Sequence, residues 1–264
     1  MDDLFAALTA LDLFGEDATN ARILSVGCTG LTGYTNYYTP YMTQAQACHE
    51  NFKYYSKLML GVESEDIDEW EASRKPFCMK KLIVGSGHVL GLVHRVPDKH
   101  RAIALRRGRD AIVQHLSHDT LLPPDRVKVV IIPKRNPGHQ LDNFWSDMCS
   151  DLTPIIASIA NVEIHCLEPN LSVEEEIQLI RSATLIVCEH GTVAYLALFA
   201  HDGAVLINIS TQKDLKDIHI LPFTTHIRVY YTTLDVPEEL LPMLRYGLHV
   251  AARNFNLLLE FLDD

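Results

Sequence analysis

No apolar run in this chain approaches the roughly 18 to 20 residues that a helix needs to cross a bilayer. The longest hydrophobic stretches, Val127 to Ile132 with only Lys128 polar and Leu198 to Phe199 with their neighbours, are far shorter. No membrane span is expected. Positive charge is also scarce: 23 Lys and Arg stand against 34 Asp and Glu, a net charge of -11. That balance disfavours a protein gripping nucleic acid through general electrostatics, although it leaves room for local basic pockets. The six cysteines, at 28, 48, 78, 149, 166 and 188, contain no CxxC pair. With Cys78, Cys166 and Cys188 inside apolar runs, all six are expected to be reduced core residues rather than zinc ligands or a disulfide scaffold. Asp2 and Asp3 occupy the place where a secretory signal carries positive charge, and no small-residue cleavage pattern follows. The expectation is a cytoplasmic or otherwise soluble intracellular protein, or a trimmed piece of one.

The chain does have the material of a globular core, with 47% hydrophobic and 22% charged residues over 264 positions. At about 150 residues per domain this is one large domain or two small ones. The first half is irregular. Ile23 to Val26 reads as a short strand, followed by the Gly- and Thr-rich stretch Gly27 to Gly33 and the aromatic stretch Tyr34 to Tyr41, a loop at the end of that strand. Residues 42 to 60 look helical, and Lys81 to Val84 is a second short strand. The paired prolines of Leu121 to Pro124 mark a hinge, which places the domains at 1–122 and 123–264.

The second half alternates regularly. Val127 to Ile132 suits a buried parallel strand, and Asp142 to Ala160 a helix that Pro154 kinks or divides. Val162 to Cys166 is the next strand. Ser172 and Glu175 form a Ser-x-x-Glu capping box opening a helix to about Ser182, and Leu185 to Cys188 returns as a strand. Thr192 to Ala200 is a short helix, Gly203 a turn, Ala204 to Ile209 a strand, and Pro237 to Leu262 a closing helix. Strands and helices alternating through short connections yield a parallel sheet covered on both faces, whose ligands sit beyond the carboxyl ends of the strands. Three loops meet that description: Pro133 to Asn143, Leu167 to Leu171 and Glu189 to Thr192.

In the segment Glu189-His190-Gly191-Thr192, the amides of Gly191, Thr192 and Val193 would open a helix, where anions are stabilised. Gly191 lets a phosphate approach the backbone, and His190 can donate a ring N–H to a phosphate oxygen or a departing group. The bland alternative is a histidine that caps the helix or satisfies a buried carbonyl. Lys134, Arg135 and His139 follow the strand Val127 to Ile132 at the same sheet edge. They are positive groups where a diphosphate would sit, and the planar fork of Arg can hold two phosphate oxygens at once. Basic residues at strand ends also occur on plain solvated surfaces.

The order Ile131-Ile132-Pro133-Lys134-Arg135, Asn143, Leu171-Ser172-Val173-Glu174-Glu175-Glu176-Ile177, Ala183 to Cys188 with Glu189-His190-Gly191, Leu198-Phe199 and Gly203 to Ile207 resembles glycosyltransferase family 61. That family includes plant xylosyltransferases and animal enzymes that add N-acetylglucosamine to protein-linked sites. The resemblance runs over about residues 125 to 210, with Phe77 to Gly85 as a weaker upstream echo. It implies a GT-B-like α/β architecture of two Rossmann-like lobes with parallel sheets and an intervening cleft. It also implies inverting transfer from a UDP-sugar, UDP-xylose or UDP-N-acetylglucosamine, to a glycan or protein-linked hydroxyl, with no required metal or other cofactor. The implied donor-binding set is Lys134, Arg135, His139, Asn143, Leu167, Glu189, His190, Gly191 and Thr192, with His190 also catalytic. The sequence departs from the family at three places. His139 stands where a second Arg is expected, Asn208 replaces an acid, and the family's His and following Asp are missing near Asn36 to Thr39. An inverting displacement needs a base for the acceptor hydroxyl. Between Asp17 and Glu50 the chain has no carboxylate, so His49 and Glu50 are the first candidates.

Other readings compete. Asp66-Ile67-Asp68 matches the DxD element with which another glycosyltransferase fold holds a metal, but six of the nine residues from Glu63 to Glu71 are acidic, the mark of a solvated face. Gly85-Ser86-Gly87-His88-Val89-Leu90-Gly91 imitates a dinucleotide fingerprint, yet Pro97 follows before a crossover helix fits. His115 and His118 could share a helix face, without an acidic or Cys partner nearby. A third class is a binding module that holds a nucleotide sugar and has lost catalysis.

Overall fold

A computed structural model describes residues 24–25, 53–54, 56–57, 60–66, 98–116, 124–133, 147–168, 171–189, 192–210, 224–233 and 240–262. The chain divides into two compact units, Met1–His115 and Leu116–Asp264. In the first, β1 (Leu24–Ser25) pairs in parallel with β2 (Glu65–Asp66), Leu24 opposite Glu65 and Ser25 opposite Asp66. Within the acidic stretch, read above as a solvated face, Glu63 is exposed but Ser64 is buried and Glu65–Asp66 is strand. The Lys57 ammonium, 2.8 Å from Glu63 Oε1, holds that carboxyl below its ordinary range by hydrogen bonding. Of the helix expected over 42–60, positions 53, 54, 56, 57 and 60 are helical; the strand expected at Lys81 to Val84 lies outside the described residues.

α1 (Asp98–Leu116) was not legible in the sequence. Its inner face carries Leu105, Arg109, Ile112 and Val113, all buried, which is helical spacing with a charged residue in an apolar slot. The Arg109 guanidinium is tied to Asp110 at 2.6 Å, so the charge is compensated while the hydrophobic periodicity is broken.

The second unit is a parallel α/β sheet. In chain order it contains β3 (Lys128–Ile132), α2 (Met148–Ile159), β4 (Glu163–Cys166), α3 (Val173–Ser182), β5 (Leu185–Glu189), a 3-10 helix (Thr192–Phe199), β6 (Val205–Ser210), β7 (Arg228–Thr233) and α4 (Leu240–Asn254). The five strands lie in the order β4-β3-β5-β6-β7, every neighbouring pair parallel. Residues two apart share a face. Val129, Ile131, Leu185, Val187, Val205 and Ile207 therefore form one side, packed with Leu152 and Ile156 of α2 and Leu244 and Leu248 of α4. Val130, Ile132, Ile186 and Leu206 form the other, equally buried side, where α3 and the 3-10 helix pack. Such two-sided burial is why these strands read as apolar runs instead of alternating ones. Gly247 lets α4 lie close to β6, since a Cβ there would come within 2.9 Å of Ile207 Cδ1.

Local chemistry sets the helix ends. Ser172 Oγ accepts from the Glu175 amide while the Glu175 carboxylate accepts from the Ser172 amide, the expected capping box. α2 begins at Met148, where the Asp147 carboxylate accepts from the amides of Cys149 and Ser150. This is later than the expected start at Asp142; residues 142–146 lie outside the described set, and Pro154 sits inside the helix without ending it. α4 does not continue to Leu262 as expected. Asn256 takes a left-handed φ of 54°, the Leu257 amide reaches back to the Ala252 carbonyl at 2.8 Å, and the Asn256 amide reaches the Arg253 carbonyl at 3.2 Å. Those two bonds make a Schellman stop. The chain then runs back to Ala160, which it meets through an antiparallel bridge at Phe261. β7, rich in β-branched and aromatic residues, is an edge strand of the sheet.

Cys149 and Cys166 form a disulfide, their Cα atoms 6.0 Å apart. For these two residues this corrects the expectation of reduced core cysteines. The partners come from α2 and β4, so only the docking of that helix on that strand brings them together. Cys188 is a thiol buried in β5.

Gly203 adopts φ 98° and its amide donates to the His226 carbonyl at 2.8 Å. Space exists for a Cβ, since the nearest atom, Phe255 Cζ, would be 3.6 Å away, so Gly203→Ala should cost about 1 to 2 kcal/mol in urea denaturation through backbone strain alone. At the amino ends of β3 and β4, Glu163 contacts His165 Nε2 through Oε1 and receives Lys128 Nζ at 3.0 Å. The His165 contact first, then Lys128, holds its carboxyl below the ordinary range. A depressed carboxylate stabilises the fold fully above the ordinary Glu range and loses that contribution as pH falls through the lowered value. Glu163→Gln should thus cost less than about 1 kcal/mol at neutral pH, given partial exposure, and the gap to wild type should close toward pH 3 in a denaturation series.

Candidate functional site at the carboxyl edge of the sheet

Counted within its own unit, the sheet order is 2-1-3-4-5. The chain goes from β3 outward to β4, then crosses back over β3 to β5 and continues the other way. The reversal lies between β3 and β5. In open parallel sheets the crevice at that point, beyond the carboxyl ends of the strands, is where ligands bind, because the connecting segments diverge to opposite faces there. Ile132, the last residue of β3, pairs with Cys188, and β5 extends one residue more to Glu189. Pro133 and Glu189 therefore stand at the carboxyl ends of adjacent strands, which lie about 5 Å apart.

Glu189 is half-buried and pairs with Ile209 of β6. Thr192 is the first residue of the 3-10 helix. The short helix expected over Thr192 to Ala200 is there, as eight residues of the tighter 3-10 form, whose first amides lack intrahelical partners at the sheet edge. Leu167 directly follows β4, its side chain buried and its amide donating to the Ile131 carbonyl at 2.9 Å. It is a wall of the edge, not an exposed contact. Lys134, Arg135, His139, Asn143, His190 and Gly191 lie outside the described residues, as do His49, Glu50 and Asp68; Asp66 ends β2.

Below the edge, Ile132, Cys188, Asn208 and Tyr231 form one row across four strands. Asn208 is wholly buried, with two more residues of β6, Ile209 and Ser210, between it and the strand end. The position that an acid fills in the resembled family thus lies inside the sheet. Ser210, which ends β6 at the same edge, went unnoticed in the sequence because nothing around it marks a motif.

No protein-family model matches this chain, and no curated protein matches it. Among solved structures, it is similar to an NADPH-quinone reductase from P. pentosaceus at 13% identity and a TM-score of 0.29, with 50% of this chain and 99% of that one covered. The α/β assignment rests on the strand pairing. No helix among the described residues is long and apolar enough to cross a membrane.

Proposed function

We propose that this chain is an inverting glycosyltransferase that moves a sugar from a UDP-sugar, UDP-xylose or UDP-N-acetylglucosamine, to a hydroxyl of a glycan or protein-linked acceptor. One observation supports the reading above others. The two segments with the basic and His-Gly motifs are the two that flank the strand-order reversal, where an α/β sheet takes a phosphate-bearing ligand. In this reading the second unit takes the donor, the first takes the acceptor, and the whole is a GT-B-like pair of lobes.

Arg135 holds two diphosphate oxygens in its fork, Lys134 and His139 add positive charge, and the amides opening the 3-10 helix receive a third oxygen. His190 donates to the bridging oxygen as UDP departs, a contact that strengthens as negative charge develops. The acceptor hydroxyl loses its proton to His49 or Glu50 while its oxygen attacks the anomeric carbon from the opposite side, which inverts the configuration.

Because protein groups balance the diphosphate charge here, UDP binding and transfer should survive EDTA. Under the DxD alternative, Asp66 and Asp68 reach the phosphates only through a cation, so chelation abolishes donor binding and Mn restores it. Titration calorimetry with UDP, GDP and EDTA decides between them. Binding of GDP without UDP rejects the donor assignment. Tight UDP-sugar binding without donor hydrolysis or transfer identifies a binding module that has lost catalysis.

A further inference from the structure

We infer that the Cys149–Cys166 disulfide is a redox-controlled clamp on β4, and that its state sets the ligand affinity of the adjoining sheet edge. The second part rests on the nucleotide-binding reading above; the first does not.

β4 is one of the two edge strands of the sheet. It has four residues, Glu-Ile-His-Cys, each only half-buried, whereas β3 beside it has four fully buried residues. Its main-chain bonds go to β3, with the Glu163 amide on the Val127 carbonyl at 3.2 Å and the Leu167 amide on the Ile131 carbonyl at 2.9 Å. The segment just before β4 is fastened by the returning tail, where the Asn161 amide meets the Glu260 carbonyl at 3.3 Å and the Leu262 amide the Ile159 carbonyl at 2.9 Å. The carboxyl end is fastened by the disulfide, which joins the last residue of β4 to the first turn of α2. Leu167, at the sheet edge, is the next residue. Cys149 and Cys166 lie partly exposed at the margin of the core, while Cys188 is fully buried within it, so the pair is more open to a small thiol reagent than the third sulfur.

The chemistry balances with a small-molecule disulfide as oxidant. One cysteine thiolate attacks that disulfide and releases one thiolate. The second cysteine then attacks the mixed disulfide, forming the Cys149–Cys166 bond and releasing the other thiolate. The two protein thiols lose two protons and two electrons, and the oxidant becomes two thiols. Dithiothreitol reverses the change and ends as a cyclic disulfide.

The test compares the full chain equilibrated with oxidised glutathione, the same chain in dithiothreitol, and a Cys149→Ala/Cys166→Val double variant. Amide hydrogen exchange and UDP titration are the readouts. Closing a loop across a separation of 17 residues is expected to slow opening of Glu163 to Leu167 on the order of 100-fold in the oxidised chain. Exchange in β5 and β6 should stay within about threefold between states. UDP binding should weaken about 3- to 10-fold on reduction, as the docked fraction of β4 falls. The double variant should behave as the reduced chain and ignore dithiothreitol. Equal exchange at β4 in both states, a uniform rise through β3, β5 and β6, or two alkylatable thiols at 149 and 166 after oxidation would each overturn the clamp. A β4-specific rise in a chain that binds no UDP in either state supports the clamp and rejects the nucleotide reading. A β4-specific rise with unchanged UDP affinity overturns the link to the site.

Discussion

Arg135→Ala should weaken UDP binding by about 1.5 to 3 kcal/mol, or roughly 10- to 150-fold in Kd, the range for losing a charge-assisted hydrogen bond to a charged ligand. Calorimetry at constant ionic strength measures it directly. Arg135→Lys keeps the charge and removes the fork, so it should recover only part of the loss, which separates bidentate gripping from general attraction. His190→Ala should behave differently, slowing transfer more than it weakens binding, because its contact gains strength as the leaving group becomes charged. Unaltered UDP affinity in Arg135→Ala would mean that the segment after β3 has been given the wrong role, whatever His190 does.

Leu152→Ala is the substitution expected to disturb the fold most, by about 3 to 4 kcal/mol. Leu152 is completely buried on the inner face of α2, in the cluster with Val129, Ile131, Leu244 and Leu248. Its removal leaves a void between two layers that the disulfide and the sheet prevent from collapsing fully. For a unit of about 150 residues such a loss lowers Tm by about 10 °C. Leu152→Met, which preserves volume with a more flexible chain, should cost under about 1.5 kcal/mol. Thermal and urea denaturation of the two variants together distinguish a packing defect from any effect on ligand binding. A Leu152→Ala chain as stable as wild type would show that α2 does not carry the core assigned to it.

What the sequence disclosed followed from how local each signal is. The Ser172 and Glu175 capping box needs only four consecutive residues, and it formed as expected. The strands at 128–132, 185–189 and 205–210 were legible because burial on both faces turns them into apolar runs. Arg109 concealed α1 by occupying an inward position that periodicity reserves for an apolar side chain. The end of α4 depended on Asn256 adopting a left-handed backbone, a choice that Asn permits and does not require. The Cys149–Cys166 pairing was invisible, since sequence spacing carries no trace of a helix docking on a strand. At the candidate site, the motifs were local and readable. Their position beside the strand-order reversal was not, because parallel order depends on which side each crossover takes.

β3 has one more consequence, in time instead of space. It pairs in parallel on both sides, Lys128 with Glu163, 35 positions on, and Val129 with Leu185, 56 positions on. Neither pairing can form by a local hairpin, and each must close a long loop before its contacts return any stability. A sheet built this way folds slowly for its size, in milliseconds to seconds rather than microseconds. Until β5 arrives, the four apolar residues of β3 have no partner on that side, and during synthesis at roughly 5 to 20 residues per second they emerge several seconds ahead of it. The strand that lies at the order reversal in the finished molecule is therefore left with an unpaired apolar side while the chain is still being made.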